Sequence, residues 1–386
     1  MVYSTDILKK MQAEGIEFFT GVPDSLLESF CACVTSDLND REHVIAANEG
    51  AAVALATGYY LATGKAALVY MQNSGIGNAI NPLLSLAHQQ VFSVPMLLMI
   101  GWRGEPGIKD EPQHLSQGEA TLPMLETADI PCHILPSEPE LAYDLVAEAH
   151  QQAIALSKPV AIIVRKNILS SRSHETFNEM QEIRGFTLTR EQVLKTVVNY
   201  FDQQCAFVAT TGKTSRELFE IRQKGDGARH KQDFLTVGSM GHCSQISLGI
   251  ALAQENQQVV CLDGDGAMLM HMGSLAIVGQ SGAKNIVHVI LNNGAHESVG
   301  SQPTVALKLD MEALGKALGY EQVMSCVAQE DLQSALACCD KNSGPTLIEI
   351  KIKTGSREDL GRPDQSPKEY KRSFMSHLRK GIKPLS

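Results

Sequence analysis

Apolar runs of four to seven residues recur along the chain, each closed by a polar or glycine-containing turn and most of them followed by a helical stretch. In the first half they read Ile16–Thr20, His43–Ala47, Ala66–Met71, Val94–Ile100 and Ala161–Arg165. In the second half they read Ala206–Thr210, Phe234–Val237, Val259–Leu262, Ile286–Leu291 and Thr346–Lys351. Helical patterns fall at residues 4–14, after Asp24-Ser25 (either of which can cap), over the small-residue run that follows Glu49, at 79–89, at 189–201 and in a segment ending at Ala253. Strand–turn–helix repeats of this kind specify parallel sheets covered by helices on both faces. The expectation is an α/β chain of two doubly wound parallel-sheet domains, residues 1–168 and 187–386, without a third central domain. The polar, aperiodic stretch 169–186 reads as a linker, and no sequence repeat relates the halves.

Composition narrows the class. The 386 residues are 44% hydrophobic and 20% charged, as expected of a globular protein. No apolar run approaches the roughly 18 residues of a membrane span, so the expected compartment is the cytoplasm, without a membrane partner. A net charge of −10 argues against nucleic acid. That charge is uneven: the tail from residue 351 carries +6 and the remainder −16. A basic tail is either a solvated end or a segment that folds across a site for an anion. The nine scattered cysteines contain no CxxC pair and read as reduced, mostly buried thiols with no zinc site.

The densest chemistry lies between Val259 and Gly300. A strand ends in Gly264-Asp265-Gly266, a helix of about four turns is expected next, and a second strand ends in Asn292-Asn293. In a βαβ unit the carboxyl ends of both strands face one crevice, so Asp265 and Asn293, 28 positions apart, should converge. A carboxylate, an amide oxygen and nearby carbonyls are hard donors suited to Mg²⁺, and glycines let backbone approach phosphate. Each turn alone is ordinary turn chemistry; the pair points to a metal-bridged diphosphate. In the other half, Glu49 stands among Ala46, Ala47, Ala51, Ala52 and Val53 at a helix start. Apolar surroundings raise a carboxyl pKa and a helix N-terminus lowers it, so helix capping and a functional role are both open there.

Together, Glu49 within Asn48-Glu49-Gly50, the GDG…NN pair and the serine- and glycine-rich turns resemble the thiamine-diphosphate-dependent 2-oxo acid decarboxylases over nearly the whole chain. The resemblance implies a lyase that uses thiamine diphosphate and Mg²⁺. Glu49 would activate the cofactor's aminopyrimidine, with Gly238 as carbonyl acceptor and Met240 as the apolar wedge beneath the cofactor. It implies Asp265, Asn293 and the Ala295 carbonyl as metal ligands, Asn293 being preferred over Asn292. Thr211, Gly212, Thr214, Ser215, Gly266 and Ala267 are the implied diphosphate contacts. GVPDSLL, QNSGIGNAINPL, DEPQH, TTGKTSREL, NNGAHESVGSQPT and GSREDLGRP narrow the match to members whose small 2-oxo acid carries a phosphonate, with a sulfonate as nearest rival. For that anion the candidates are Ser25, Asn73, Asn78, Arg103, Lys213, Arg216, His296, Arg357 and Arg362. Ser25 and His114 are also candidate catalytic groups, His114 from the polar loop Asp110–His114. His242 and His288 read as structural. The family arrangement further implies a homo-oligomer with sites at subunit interfaces. A noncatalytic regulatory subunit and an acetolactate-synthase-like carboligase are the competing readings.

Overall fold

A computed structural model describes residues 1–171, 185–201, 204–224, 227–339 and 343–379. Most of the expected linker (172–184) and the end of the basic tail lie outside them. The chain divides into two compact units, Met1–Glu179 with Ser298–Gln302, and Met180–Glu297 with Pro303–Ser386.

The first unit is built on six parallel strands: β1 (Phe19–Gly21), β2 (His43–Ile45), β3 (Ala67–Gln72), β4 (Met96–Gly101), β5 (Cys132–Ile134) and β6 (Pro159–Val164). Their spatial order is β2-β1-β3-β4-β6-β5. The second unit repeats the plan with β7 (Ala206–Ala209), β8 (Asp233–Leu235), β9 (Val259–Gly264), β10 (Ile286–Asn292), β11 (Gln322–Cys326) and β12 (Thr346–Lys351). Its order is β8-β7-β9-β10-β12-β11, again all parallel. The two doubly wound parallel sheets expected from the sequence are therefore present. They share one topology that the residues themselves do not repeat.

Alternation along the strands feeds two cores in each unit. In β3 and β4, Leu68, Tyr70, Leu97 and Met99 face one layer of helices, while Ala67, Val69, Met71, Leu98 and Ile100 face the other. In the second unit Phe207, Val260, Leu262, Val289 and Ile348 line one side and Val208, Cys261, Ile290 and Leu347 the other. Burial on both faces explains why these strands read as continuous apolar runs.

Several local expectations are corrected. The helix between β9 and β10 is broken into Asp265–Met270 and Gly273–Gly279. The break falls at His271, whose ring packs on His242, their centroids 4.5 Å apart. Neither Asp24 nor Ser25 caps the second helix, which starts later, at Glu28. Asp24 instead accepts the Leu26 N–H within its own turn. His114 lies in a helix, Pro112–Thr127, with proline in the first turn where no N–H is required. Strands β5 and β11 carry no clear apolar run because edge positions leave most of their side chains partly exposed. All nine cysteines are free and seven are buried. Among the described residues no helix is long and apolar enough to cross a membrane.

Candidate active site

In such a sheet the crevice opens where the winding reverses, at the carboxyl ends of the strands on either side. The reversal lies between β1 and β3 in the first unit and between β7 and β9 in the second. The turns that leave these strands carry most of the residues singled out from the sequence.

In the first unit, Glu49 begins the helix Glu49–Thr63, capped by Asn48, whose side chain accepts the Ala51 N–H at 2.9 Å. Glu49 is 5% exposed. Burial raises its pKa, opposed by a hydrogen bond from Asn78 Nδ2 to Glu49 Oε2 at 2.7 Å and by its own backbone N–H. Gly75 packs directly on this carboxyl: a Cβ there would sit 2.3 Å from Oε1. The turn after β3 therefore holds Glu49 on one side with an amide and on the other with a glycine.

Beside it, Arg103 follows β4. Its Nη1 donates to Ser25 Oγ at 2.9 Å and its Nε to Asp110 Oδ2 at 2.8 Å, with Nη2 on the second oxygen of the same carboxylate. This pairing holds the Asp110 carboxyl down at about 2. Asn73 is fully engaged in bracing the loop, its Nδ2 on Arg103 O and Thr121 Oγ1 and its Oδ1 on Arg103 N. His114 is half-buried, and burial together with the Arg103 charge lowers its pKa. One neighbour was missed by sequence reasoning. Asp24 is completely buried against Gly101, its Oδ1 has no partner among the described residues, and desolvation lifts its carboxyl to about 6. Its signal was available, since an acid directly after a buried strand ends beside the crevice.

In the second unit, Asp265 and Asn293 converge as the βαβ argument requires. Asp265 is 3% exposed and accepts from Thr304 Oγ1, and the nearby backbone N–H groups of Asp265, Gly266 and Asn293 act to lower its pKa. Desolvation nevertheless lifts its carboxyl to about 6, the condition of an acid buried without a countercharge. Asn292 is fully buried, with Nδ2 on Glu349 and Oδ1 on the Gly294 N–H. It is tied into the sheet, whereas Asn293 lies beside Asp265. Around Gly266, an added Cβ would meet the His296 ring at 2.8 Å and the Met240 methyl at 3.4 Å. The glycine thus gathers Met240 and His296 onto the GDG turn, and burial pushes the His296 imidazole down to about 4. Gly264, by contrast, has only Thr210 Cγ2 near it, at 3.9 Å, so backbone there is open to close approach. Hard oxygen donors beside an open glycine backbone fit a divalent cation bridged to phosphate oxygens. Thr211, Gly212, Thr214 and Ser215 lie where β7 gives way to the helix Lys213–Lys224, and Ser215 Oγ is anchored on Thr210 O at 2.8 Å.

Models of the thiamine pyrophosphate enzyme family match both units, the N-terminal TPP binding domain over residues 1–122 and the C-terminal TPP binding domain over residues 211–350. The chain belongs to that family. Among the curated relatives of this thiamine pyrophosphate enzyme are two phosphonopyruvate decarboxylases. One, from Streptomyces viridochromogenes, is 34% identical over 98% of this chain and 95% of its own length. The other, from Streptomyces hygroscopicus, is 35% identical over 97% and 93%. A sulfopyruvate decarboxylase from Methanosarcina acetivorans is 25% identical over 96% of each.

The remaining cations gather elsewhere in the second unit. Lys213 Nζ reaches Ser356 Oγ at 2.6 Å, and Arg216 binds the carbonyls of Leu360 and Gly361. Arg357 is ringed by Glu191, Glu220 and Asp359. These contacts, together with Glu220 on the Gly361 N–H, lay the start of the basic tail across the helix that opens at Lys213. Arg362 follows in the same segment. His242 is exposed and His288 buried. His288 Nε2 lies 3.3 Å from Asp263 Oδ2 and its Nδ1 3.1 Å from the Tyr320 hydroxyl, with Cys261 close by. This buried group includes a soft thiol, unlike the all-oxygen donors at Asp265, and its Asp263 Oδ1 fixes the Gly264 N–H at 2.9 Å.

Proposed function

We propose that this enzyme decarboxylates 3-phosphonopyruvate to phosphonoacetaldehyde and CO₂, a step of phosphonate biosynthesis, with thiamine diphosphate and Mg²⁺. The observation that carries the substrate choice is the 34–35% identity with the two Streptomyces proteins over almost the full chain, against 25% over the same span for the Methanosarcina sulfopyruvate decarboxylase. Bound thiamine diphosphate supplies the electron sink that lets CO₂ leave.

The chain's own part is to hold, orient and move protons. Asp265, Asn293 and the Ala295 carbonyl would hold Mg²⁺. Thr211, Gly212, Thr214, Ser215, Gly266 and Ala267 would hold the diphosphate, with Gly238 and Met240 against the rings. Glu49, whose burial favours the protonated form, suits proton sharing with a cofactor ring nitrogen. Ser25, Asn78, Arg103 and His114 are the groups assigned to the substrate in the first unit, with Asn73 bracing them. In the second unit Lys213 and Arg362 are the cations kept for it, since Arg216 is held by the Leu360 and Gly361 carbonyls and Arg357 by three carboxylates. His296, kept neutral by burial, acts as a hydrogen-bonding group rather than a charge. The working form is a cytoplasmic homo-oligomer, which sedimentation of the active enzyme tests.

A sulfopyruvate decarboxylase is the second reading, favoured by the Methanosarcina relative. A phosphonate can carry one more negative charge than a sulfonate, and a charge-assisted hydrogen bond to arginine contributes about 1.5–3 kcal/mol. The expected kcat/KM therefore favours phosphonopyruvate by about 10–100-fold. A ratio of one or below assigns the enzyme to sulfopyruvate.

A further inference from the structure

The proposed metal ligand Asn293 is held from behind by its side-chain nitrogen. Nδ2 donates to Glu297 Oε2 at 2.7 Å. The same Oε2 also accepts from Arg190 Nη2, so it faces the amide as an acceptor and the amide has one orientation, with its oxygen turned away from Glu297. That oxygen accepts the Ala295 N–H at 3.0 Å and keeps a second lone pair. Glu297 Oε2 is fixed in turn by Arg190 Nη2 at 2.7 Å, and Arg190 Nε lies 3.4 Å from Glu217 Oε2. Side-chain exposures are 6% for Arg190, 3% for Glu217 and 9% for Glu297. The cluster thus places two carboxylates against one guanidinium, almost out of water. Glu297 Oε1 has no partner among the described residues. Thr304 links the two turns, its N–H on Gly294 O at 2.9 Å and its Oγ1 on the Asp265 carboxyl, so the cluster stands behind the pair of hard donors.

We propose that Glu297, clamped by Arg190, is a positioning residue for the divalent cation: it turns the Asn293 amide oxygen toward the metal, so its effect on affinity runs through Asn293. The inference rests on the metal–diphosphate reading of Asp265 and Asn293. Partners behind a ligand set its orientation and typically change metal affinity by about 10–100-fold. Glu297→Gln keeps an acceptor but adds a donor, so the orientation of the Asn293 amide is no longer fixed, and Glu297→Ala removes the contact altogether.

The test titrates the full-length chain with Mn²⁺ at saturating thiamine diphosphate, following loss of the free-ion electron paramagnetic resonance signal, and with Mg²⁺ by calorimetry. Glu297→Gln should weaken both ions about 10-fold and Glu297→Ala up to about 100-fold. In an Asn293→Ala background the Gln substitution should change affinity less than about twofold, because coupled sites are not additive. Wild-type affinity in both single variants, with or without a lowered melting temperature, overturns the proposal and leaves a purely structural ion pair. An undiminished Glu297→Gln effect in the Asn293→Ala background also overturns it. Should Glu297→Ala fail to fold because Arg190 loses a partner, the Gln variant and its double variant carry the decision. If the wild-type chain binds neither ion, the metal reading itself fails, a result distinct from all of these.

Discussion

Adding one methyl group at Gly75 tests Glu49 by geometry instead of by chemistry. A Cβ at that position lies 2.3 Å from Glu49 Oε1 and 2.5 Å from its Cγ and Cδ. Ordinary contact between such atoms is about 3.5 Å, so the carboxyl must retreat by roughly 1 Å. Glu49 is only 5% exposed, and the retreat pulls it off Asn78 Nδ2, now at 2.7 Å. Overpacking of this kind costs about 1–3 kcal/mol of stability. A misplacement of 1 Å in a reacting group costs about 100-fold in turnover. Asp265 and Asn293 are untouched, so the affinity for Mg²⁺ and thiamine diphosphate should stay within about tenfold of wild type. The assay is CO₂ release at saturating cofactor, beside Glu49→Gln, which keeps the shape and removes the acid. Both variants should lose most of kcat, and only Gly75→Ala should also melt earlier. A Gly75→Ala enzyme that is destabilised yet fully active would refute the role given to Glu49. One that is neither destabilised nor slowed would refute the contact.

Three further outcomes are expected. Asp265→Ala should abolish the joint binding of Mg²⁺ and thiamine diphosphate in calorimetry while leaving the fold intact; unchanged binding would remove Asp265 from the site. His43 donates to or accepts from the Tyr70 hydroxyl at 2.7 Å, and burial lowers its pKa to about 4. The unfolded chain, with an ordinary histidine near 6.5, binds this proton first, so stability falls as pH drops from about 6.5 toward 4, by about 2 kcal/mol at pH 5. Urea midpoints at pH 7.5 and 5 should show a loss in wild type that is smaller by that amount in His43→Gln; equal losses in both would rule it out. Arg222, 3% exposed, pairs with the buried Asp233 at 3.0 Å. Arg222→Ala strands that carboxylate and should cost about 3–5 kcal/mol in urea unfolding, and a cost below about 1 kcal/mol would show the pair to be solvated.

Some of this protein was legible in the residues alone. Strands buried on both faces wrote themselves as unbroken apolar runs, so β3, β4, β6, β9, β10 and β12 stood out. Two of the four edge strands, β5 and β11, did not, because an edge tolerates mixed polarity. The convergence of Asp265 and Asn293 followed from chain logic: two consecutive parallel strands must end on the same side of their sheet. Glu49 was visible as a lone acid in an alanine-rich helix start. Asn78 and Gly75 as its supports were not, since nothing in the chain between Glu49 and the QNSGIGN turn states how closely the turn returns.

Tertiary structure alone decided the partnerships of the charged groups. Sequence lists Arg103, Arg216 and Arg357 as equivalent cations. Folding puts Arg103 beside Ser25 and Asp110 at the strand ends, ties Arg216 to backbone carbonyls and rings Arg357 with three carboxylates. It likewise separated Asn292, the last residue of β10, which is tied to Glu349, from Asn293, which begins the turn beyond the strand and lies beside Asp265. Long side chains reach across 5 Å or more, and their partners come from segments more than a hundred residues away in the case of Arg357 with Glu191 and Glu220. Local pattern carries no record of such pairings. Periodicity and turn chemistry are local and survive in the sequence; the neutralisation of charge is a property of the packed chain.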